Sequence, residues 1–494
     1  MIVVQAARSE YPALAPFHPS AAYPEYELGP LSGEFNAVYE AVRSAFQLAG
    51  LDSARFGTAD WNPLGGLIRR GETVLLKPNL IKERHPREPE GWRYVLTHGS
   101  IVRAVADYVY KALGSRGKII IADAPQTDSS FDAVVRVLGL DVIRDFYQAR
   151  GLDIELVDLR NEEWRNVGGV IVGRRRLKGD PRGAVAVDLG PYSAFVGHNG
   201  TGRYYGADYD EAEVNRHHSD GRHEYLIAGS AIRADVVISL PKLKTHKKAG
   251  ITVALKNLVG ITADKNWLPH HTEGSPEDGG DEHPRPDAKH RSERLLAAWL
   301  RRVVVRHPLL GFPLLLLGRR MGRFVYGDTE SVIRSGNWWG NDTVWRMCLD
   351  LNTALLYANP DGSLRPPRLE CRKRHYVLVD GIIGGQGRGP MNPDPAFCGI
   401  VVFGLNAPCV DAVCAYLMGF DPNKIPIIRE AFHRRPYMLA DLNWWDVCVI
   451  SNRREWTGRL LDIPDESTFR FEPHFGWKGR IERLTASAPA MADA

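Results

Sequence analysis

Thr73–Asn79 reads TVLLKPN and Lys118–Pro125 reads KIIIADAP. Each is a short apolar run that stops in polar residues. Between them, Ser100–Leu113 carries apolar residues at helical spacing through Ile101, Val105, Tyr108, Val109 and Ala112. Strands that are apolar at nearly every position are covered on both faces, and strands alternating with helices join as parallel neighbours. Phe131–Val137 continues the pattern as a helix and Ile154–Leu159 (IELVDL) as a third strand. The fold class this predicts is α/β: a layered, mostly parallel sheet flanked by helices.

Further along, Asp235–Leu240 (DVVISL) reads as a strand and Ile251–Val259 (ITVALKNLV) as helical. From 261 to about 340 the rhythm breaks into a polar Gly/Pro/His-rich loop, an Arg-rich helical segment and the apolar run LLGFPLLLL at Leu309–Leu317. A helix over Asp342–Tyr357, strands over His375–Asp380 and Gly399–Gly404, and a helix over Cys409–Met418 resume it. The expected organisation is an N-terminal extension (1–70), a first part of the α/β core (71–260), an insertion or cap (261–340), a second part of the core (341–435) and a C-terminal extension (436–494).

The chain has 494 residues, of which 44% are hydrophobic and 25% charged, the balance of a soluble globular protein. Its net charge of +4 is too small for the basic footprint of a nucleic-acid binder. The cysteines Cys348, Cys371, Cys398, Cys409, Cys414 and Cys448 form no CxxC pair, so neither an iron–sulfur cluster nor a disulfide framework is expected. No dinucleotide fingerprint is present. No uninterrupted run of eighteen apolar residues is present either, so a cytoplasmic location is expected. Arginines bracket the Leu309–Leu317 run. That pattern suits a buried helix–turn with basic ends. The alternative it leaves open is contact with the inner face of a membrane through Leu309, Leu310, Phe312 and Leu314–Leu317.

Ligands of open parallel sheets collect at the carboxyl ends of the strands. Here those ends are polar: Lys77 and Asn79 close one strand, Asp123 another, and Pro241–Lys248 (PKLKTHKK) follows a third. Four lysines and His246 within seven residues point to an anionic ligand, against the alternative of a solvated basic loop. Lys242, Lys244, Lys256 and Asn257 join Lys77 and Asn79 as candidate ligand contacts. Two glycine-rich stretches are further candidates, through backbone N–H groups that converge on an anion. One carries Gly385 and Gly387, with a tight turn as its alternative; the other carries His198, Asn199 and Arg203.

Nine of the sixteen histidines lie between 198 and 290. The densest patch supplies His270, His271, Asp278, Asp281, Glu282 and His283, a nitrogen–oxygen set suited to a divalent metal or to a polar lid. Asp342, Arg346 and Asp350 recur every four residues, so Arg346 is expected to pair with both carboxylates on one helix face.

The segments KPNL (Lys77–Leu80), ADVVISLPKLKTH (Ala234–His246), GITVALKNLVG (Gly250–Gly260), VDGIIGGQGRGP (Val379–Pro390) and APCVDAVCAYLMGFDPNKIP (Ala407–Pro426) resemble the bacterial and archaeal family named domain of unknown function 362. The resemblance implies an α/β domain whose recurring polar residues Lys77, Asn79, Lys242, Lys244, His246, Lys256, Asn257, Asp380 and Asp411 surround a common site. Some members of that family carry ferredoxin-like cysteine clusters, which this chain lacks. THKKAGITVALKNLVG is also similar in order to nickel-dependent lactate racemase-like proteins, without their remaining signatures.

The function expected is an enzyme acting on a phosphorylated or carboxylated, oxygen-rich small molecule. The lysines clamp the anion, His246 transfers a proton, and Asp380 or the 270–283 loop holds a metal or closes the site. The competing expectation is a non-catalytic, membrane-peripheral protein that binds an anionic ligand.

Overall fold

The computed structural model describes residues 1–167, 170–206, 211–286 and 332–483. Its centre is a mixed sheet in the order Gly458–Arg459, Cys448–Ser451, Ile2–Gln5, Ile400–Gly404, Arg374–Gln386, Val236–Leu240, Thr73–Pro78, Lys118–Asp123 and Ile154–Asp158. The last five of these strands are all parallel, with Val236 beside both Val74 and Arg374, and Ile119 beside Val74 and Ile154. Ile400–Gly404 runs antiparallel to both of its neighbours, so the sheet changes character there.

Alternating side chains feed two cores. Val74, Leu76, Ile119, Ile121, Val236 and Ile238 face one side, under the helices Ala37–Leu48, Gly99–Leu113 and Leu140–Gln148. Leu75, Ile120 and Val237 face the other, under Val344–Tyr357 and Ala407–Leu417. This three-layer arrangement is why the strands carry no polar alternation; each buried Leu or Ile contributes about 1.5–3 kcal/mol. Helix starts follow local chemistry. Asn341 Oδ1 accepts from Thr343 N and Val344 N, and Asn406 Oδ1 from Cys409 N.

Several local readings change. Lys242–His246 is a fully buried strand rather than a basic loop, and it pairs with Gly250–Thr252, the start of the segment read as helix. Only Ala254–Asn257 of that segment is α-helical. The glycine stretch after Asp380 is neither turn nor anion loop as far as Gln386. It continues the strand Arg374–Gln386, because missing Cβ atoms let neighbours close in: a Cβ on Gly384 would lie 2.9 Å from Phe471 Cζ. Among the described residues Arg346 pairs with Asp342 and not with Asp350, which is buried and paired instead with Arg434, at 2.7 Å. Residues 1–70 and 436–494, read as extensions, supply Ile2–Gln5, Cys448–Ser451 and Gly458–Arg459 to the central sheet. The Leu309–Leu317 run lies outside the described residues. Among those that are described, no helix is long and apolar enough to cross a membrane.

Candidate functional site

The carboxyl ends of Thr73–Pro78 and Lys118–Asp123 open onto a cavity of about 60 Å³. Lys77, Asn79, Asp123, Lys244, His246, Thr252, Lys256, Asn257, Gly260 and Lys265 line it. A volume of this kind holds about four to six waters, or one small organic anion. Four lysines therefore meet one carboxylate. Lys77 Nζ sits 2.7 Å from Asp123 Oδ1 and donates to Asn257 Oδ1, while Asn257 Nδ2 donates back to Lys77 O. Asp123 is also held by Leu80 N and Ala124 N. Gly260 is required beside this pair, since a Cβ there would fall 1.8 Å from Asp123 Oδ1.

Lys244 Nζ donates to Val95 O and Lys265 Nζ to Ala124 O, so each amine is aimed by a backbone carbonyl. Lys256 is different. Its Nζ has neither a hydrogen-bond acceptor nor a carboxylate among the described residues, although the side chain is over nine-tenths buried. Thr252 Oγ1, buried on the same wall, has no partner among the described residues either. The helical turn that carries Lys256 is pinned from behind: Asp411 accepts from Ala254 N and Leu255 N, at 2.8 and 3.2 Å. Burial pushes the Asp411 carboxyl up to about 8, against those two donors.

Burial lowers the basicity of all three core lysines. For Lys77 the Asp123 carboxylate opposes the shift. For Lys244 the positive charges of Lys242 and Lys256 add to it, and its amine falls well below the ordinary lysine range. His246 likewise falls well below the usual histidine value, through burial first and then Lys256 and Lys247. Its tautomer is set by geometry. Nδ1 accepts from Lys248 N and Ala249 N, both at 3.0 Å, so the proton of the neutral ring resides on Nε2.

Six of the residues named from the sequence thus meet at one cavity: Lys77, Asn79, Lys244, His246, Lys256 and Asn257. Lys242 and Asp380 do not join them. They form a separate buried cluster in which Lys242 Nζ donates to Asp380 Oδ2 at 3.1 Å and to Tyr11, whose hydroxyl donates to Asp380 Oδ1 at 2.6 Å. His98 stacks on Tyr11 with ring centroids 4.0 Å apart, and His98 N donates to Asp380.

His198, Asn199 and Arg203 are also elsewhere. Arg203 donates to Asn199 O, Asp278 O and Gly279 O, which ties the glycine stretch to the 270–283 segment. Gly385 and Gly387 lie outside the cavity; Gly385 admits Tyr94 O, from which a Cβ would be 2.8 Å away, and Gly387 turns the chain at φ +68°.

The six metal candidates have other duties. Asp281 accepts from Thr272 N, Asp342 N and Thr343 Oγ1, and Asp278 closes a capping box with Ser275. His271 Nδ1 lies 3.3 Å from Lys248 Nζ and His270 Nδ1 faces Leu268 O, while His283 and Glu282 stay 3.8 Å apart. Among the described residues, no three His, Cys, Asp or Glu side chains converge as a metal shell.

Asp123, Thr252, Gly260 and Lys265 were missed as site residues. Asp123 had a readable signal, a carboxylate at the end of the strand beside that of Lys77. Lys265 had none, because a 3-10 turn at Lys265–Trp267 brings it in.

A family model, Domain of unknown function (DUF362), matches residues 74–178 and 165–416, a span that contains every residue lining the cavity. A Synechocystis sp. protein described as thylakoid-associated is 27% identical over 206 residues, 41% of this chain and 44% of that protein. The match to that relative therefore spans under half of its length. With the family model covering the whole parallel block and the cavity at its edge, the chain belongs to the DUF362 family.

Proposed function

We propose that the chain is an enzyme that captures a small, oxygen-rich anion, phosphorylated or carboxylated, in the cavity at the carboxyl ends of the parallel strands. The observation that carries this reading is the charge imbalance: Lys77, Lys244, Lys256 and Lys265 line the cavity with Asp123 as their one carboxylate. Burying cations without partners costs several kcal/mol each, and a bound oxyanion removes that cost. Among the described residues neither the Lys256 amine nor Thr252 Oγ1 has a hydrogen-bond partner, and the Nε2–H of His246 is a fixed donor toward a ligand on that wall. A ring locked in this tautomer serves an anion as a donor. It becomes a proton acceptor only if the Nδ1 contacts to Lys248 and Ala249 are given up.

Isomerisation or epimerisation beside a carboxylate is the reaction class favoured here, with group transfer or hydrolysis as the alternatives; the similarity of THKKAGITVALKNLVG in residue order to lactate racemase-like proteins is analogy alone. Thermal unfolding of the full chain with inorganic phosphate, small carboxylates and phosphorylated sugars is the test. A ligand at one hundred times its Kd adds about 2.7 kcal/mol, and Lys256→Met and Lys244→Met are expected to abolish that gain. Failure of every anion to raise the melting temperature would sink the reading.

A second reading, a non-catalytic anion binder at a membrane surface, draws support from the thylakoid-associated description of the Synechocystis relative. Contact through Leu309, Leu310, Phe312 and Leu314–Leu317 is its structural form. Flotation with anionic liposomes separates the two readings: a chain that stays at the bottom of the gradient rules out the membrane component.

A further inference from the structure

The cavity holds four amines, and they are not equivalent. Lys77 is locked by Asp123, Asn257 and Pro78 O, Lys244 by Val95 O, and Lys265 by Ala124 O. The amine of Lys256 lines the same space with no acceptor among the described residues. A clamp for a phosphate or carboxylate would place every amine on an acceptor or leave several mobile at a surface. One buried, unengaged amine among engaged ones has a different chemical use.

We infer that Lys256 is a nucleophile that forms an imine with a small anion bearing an aldehyde or ketone, such as a 2-oxo acid. This deepens the anion-capture reading of the same site and rests on it. In the step, the lone pair of the neutral Lys256 amine attacks the carbonyl carbon, forming the C–N bond while the π pair moves to oxygen. The carbinolamine oxygen then leaves as water, carrying off both amine protons, and the C=N bond remains. Atoms and charge balance without an oxidant or reductant. Lys77 and Asp123, ion-paired on the same cavity wall, supply and take back the protons in transit.

Three features favour the step. Burial lowers the basicity of the amine, which brings its neutral, nucleophilic form within easier reach, and among the described residues no carboxylate pairs with it. The remaining amines and the His246 Nε2–H are placed to hold the acid group and the carbonyl oxygen. The cavity admits a molecule of only a few heavy atoms. An imine at this position draws electrons from the adjacent carbon and acidifies its proton, which is the requirement for the isomerisation or epimerisation class.

The test is borohydride trapping on the full chain. Pyruvate with sodium borohydride should add one reduced adduct, mapped by peptide mass spectrometry to Lys256. Acetone, a ketone with no acid group, should label Lys256 at least tenfold less. Lys256→Arg should lose the adduct, and inorganic phosphate should protect the unaltered chain from labelling by pyruvate. If phosphate stabilises the protein and pyruvate yields no adduct at Lys256, the nucleophile is overturned and the anion site stands. If adducts scatter over surface lysines and phosphate has no effect, both fall.

Discussion

Lys242 and Lys244 lie two residues apart on one strand, and both are completely buried. Lys242 has everything a buried ammonium needs: Asp380, the Tyr11 hydroxyl and a ring of stacked His98 and Trp92 around them. Lys244 has one backbone carbonyl and three other lysines across a cavity. The first cluster is closed and self-sufficient. The second is short of negative charge and has room to receive it. Identical residues in one strand thus do opposite work, because a buried charge holds structure only where its partner is covalently part of the same fold.

The sharpest way to break this contrast is Asp380→Ala. It leaves Lys242, Tyr11 and His98 N without their common acceptor, and a loss of about 3–5 kcal/mol in urea unfolding is expected. A loss below about 1 kcal/mol would show that the cluster does not hold the fold. Next in size is acid lability. Burial holds His218 at about 3 and His198, His375 and His474 at about 4, with His98 and His246 also well below the ordinary 6.5. The unfolded chain binds these protons first, so their contribution is complete above 6.5 and is lost as pH falls through the lower values. Urea midpoints measured from pH 7 to 4 should fall steeply, and a flat profile would contradict the burial.

Alkaline behaviour separates the two lysines. Both have folded values below 10.5, so the ligand-free protein gains stability as pH rises toward 10.5. Lys244→Met should flatten that slope more than Lys242→Met, because only Lys242 has a carboxylate opposing the shift at close range. Smallest is Lys256→Met without ligand. Removing a buried amine that has no acceptor among the described residues should leave stability unchanged or raise it by about 1 kcal/mol. A fall of several kcal/mol there would mean that the amine is structural.

The parallel block was legible because apolar runs covered on both faces leave little else for Leu75, Ile120 and Val237 to do. So was the convergence of Lys77, Lys244, Lys256 and His246, since polar residues at the carboxyl ends of parallel strands have one common place to go. Lys242–His246 was not legible as a buried strand: a Lys-Leu-Lys pattern has at most the alternation of a half-solvated edge, and burial of both faces depends on elements far away in the chain. Gly381–Gln386 misled in the opposite sense. Its glycines look like a loop, yet they serve the close approach of Ile400 and Phe471, a packing demand that leaves no local mark. The separation of Asp380 from His246, and of Asp350 from Arg346, was equally hidden, because each carboxylate is claimed by a residue distant in sequence.

Ile2–Gln5 sits inside the sheet, between Ile400–Gly404 and Cys448–Ser451. This strand therefore leaves the ribosome some four hundred residues ahead of its partner, since Phe403 lies opposite Ile2. Closing so long a loop is slow. Until then its apolar Ile-Val-Val edge is an unpaired template, open to any other strand nearby. Completion of this sheet is a late event in the birth of the molecule, and the helix Ala37–Leu48, packed against both strands, is the local element that covers the Ile2 and Val4 face in the interval.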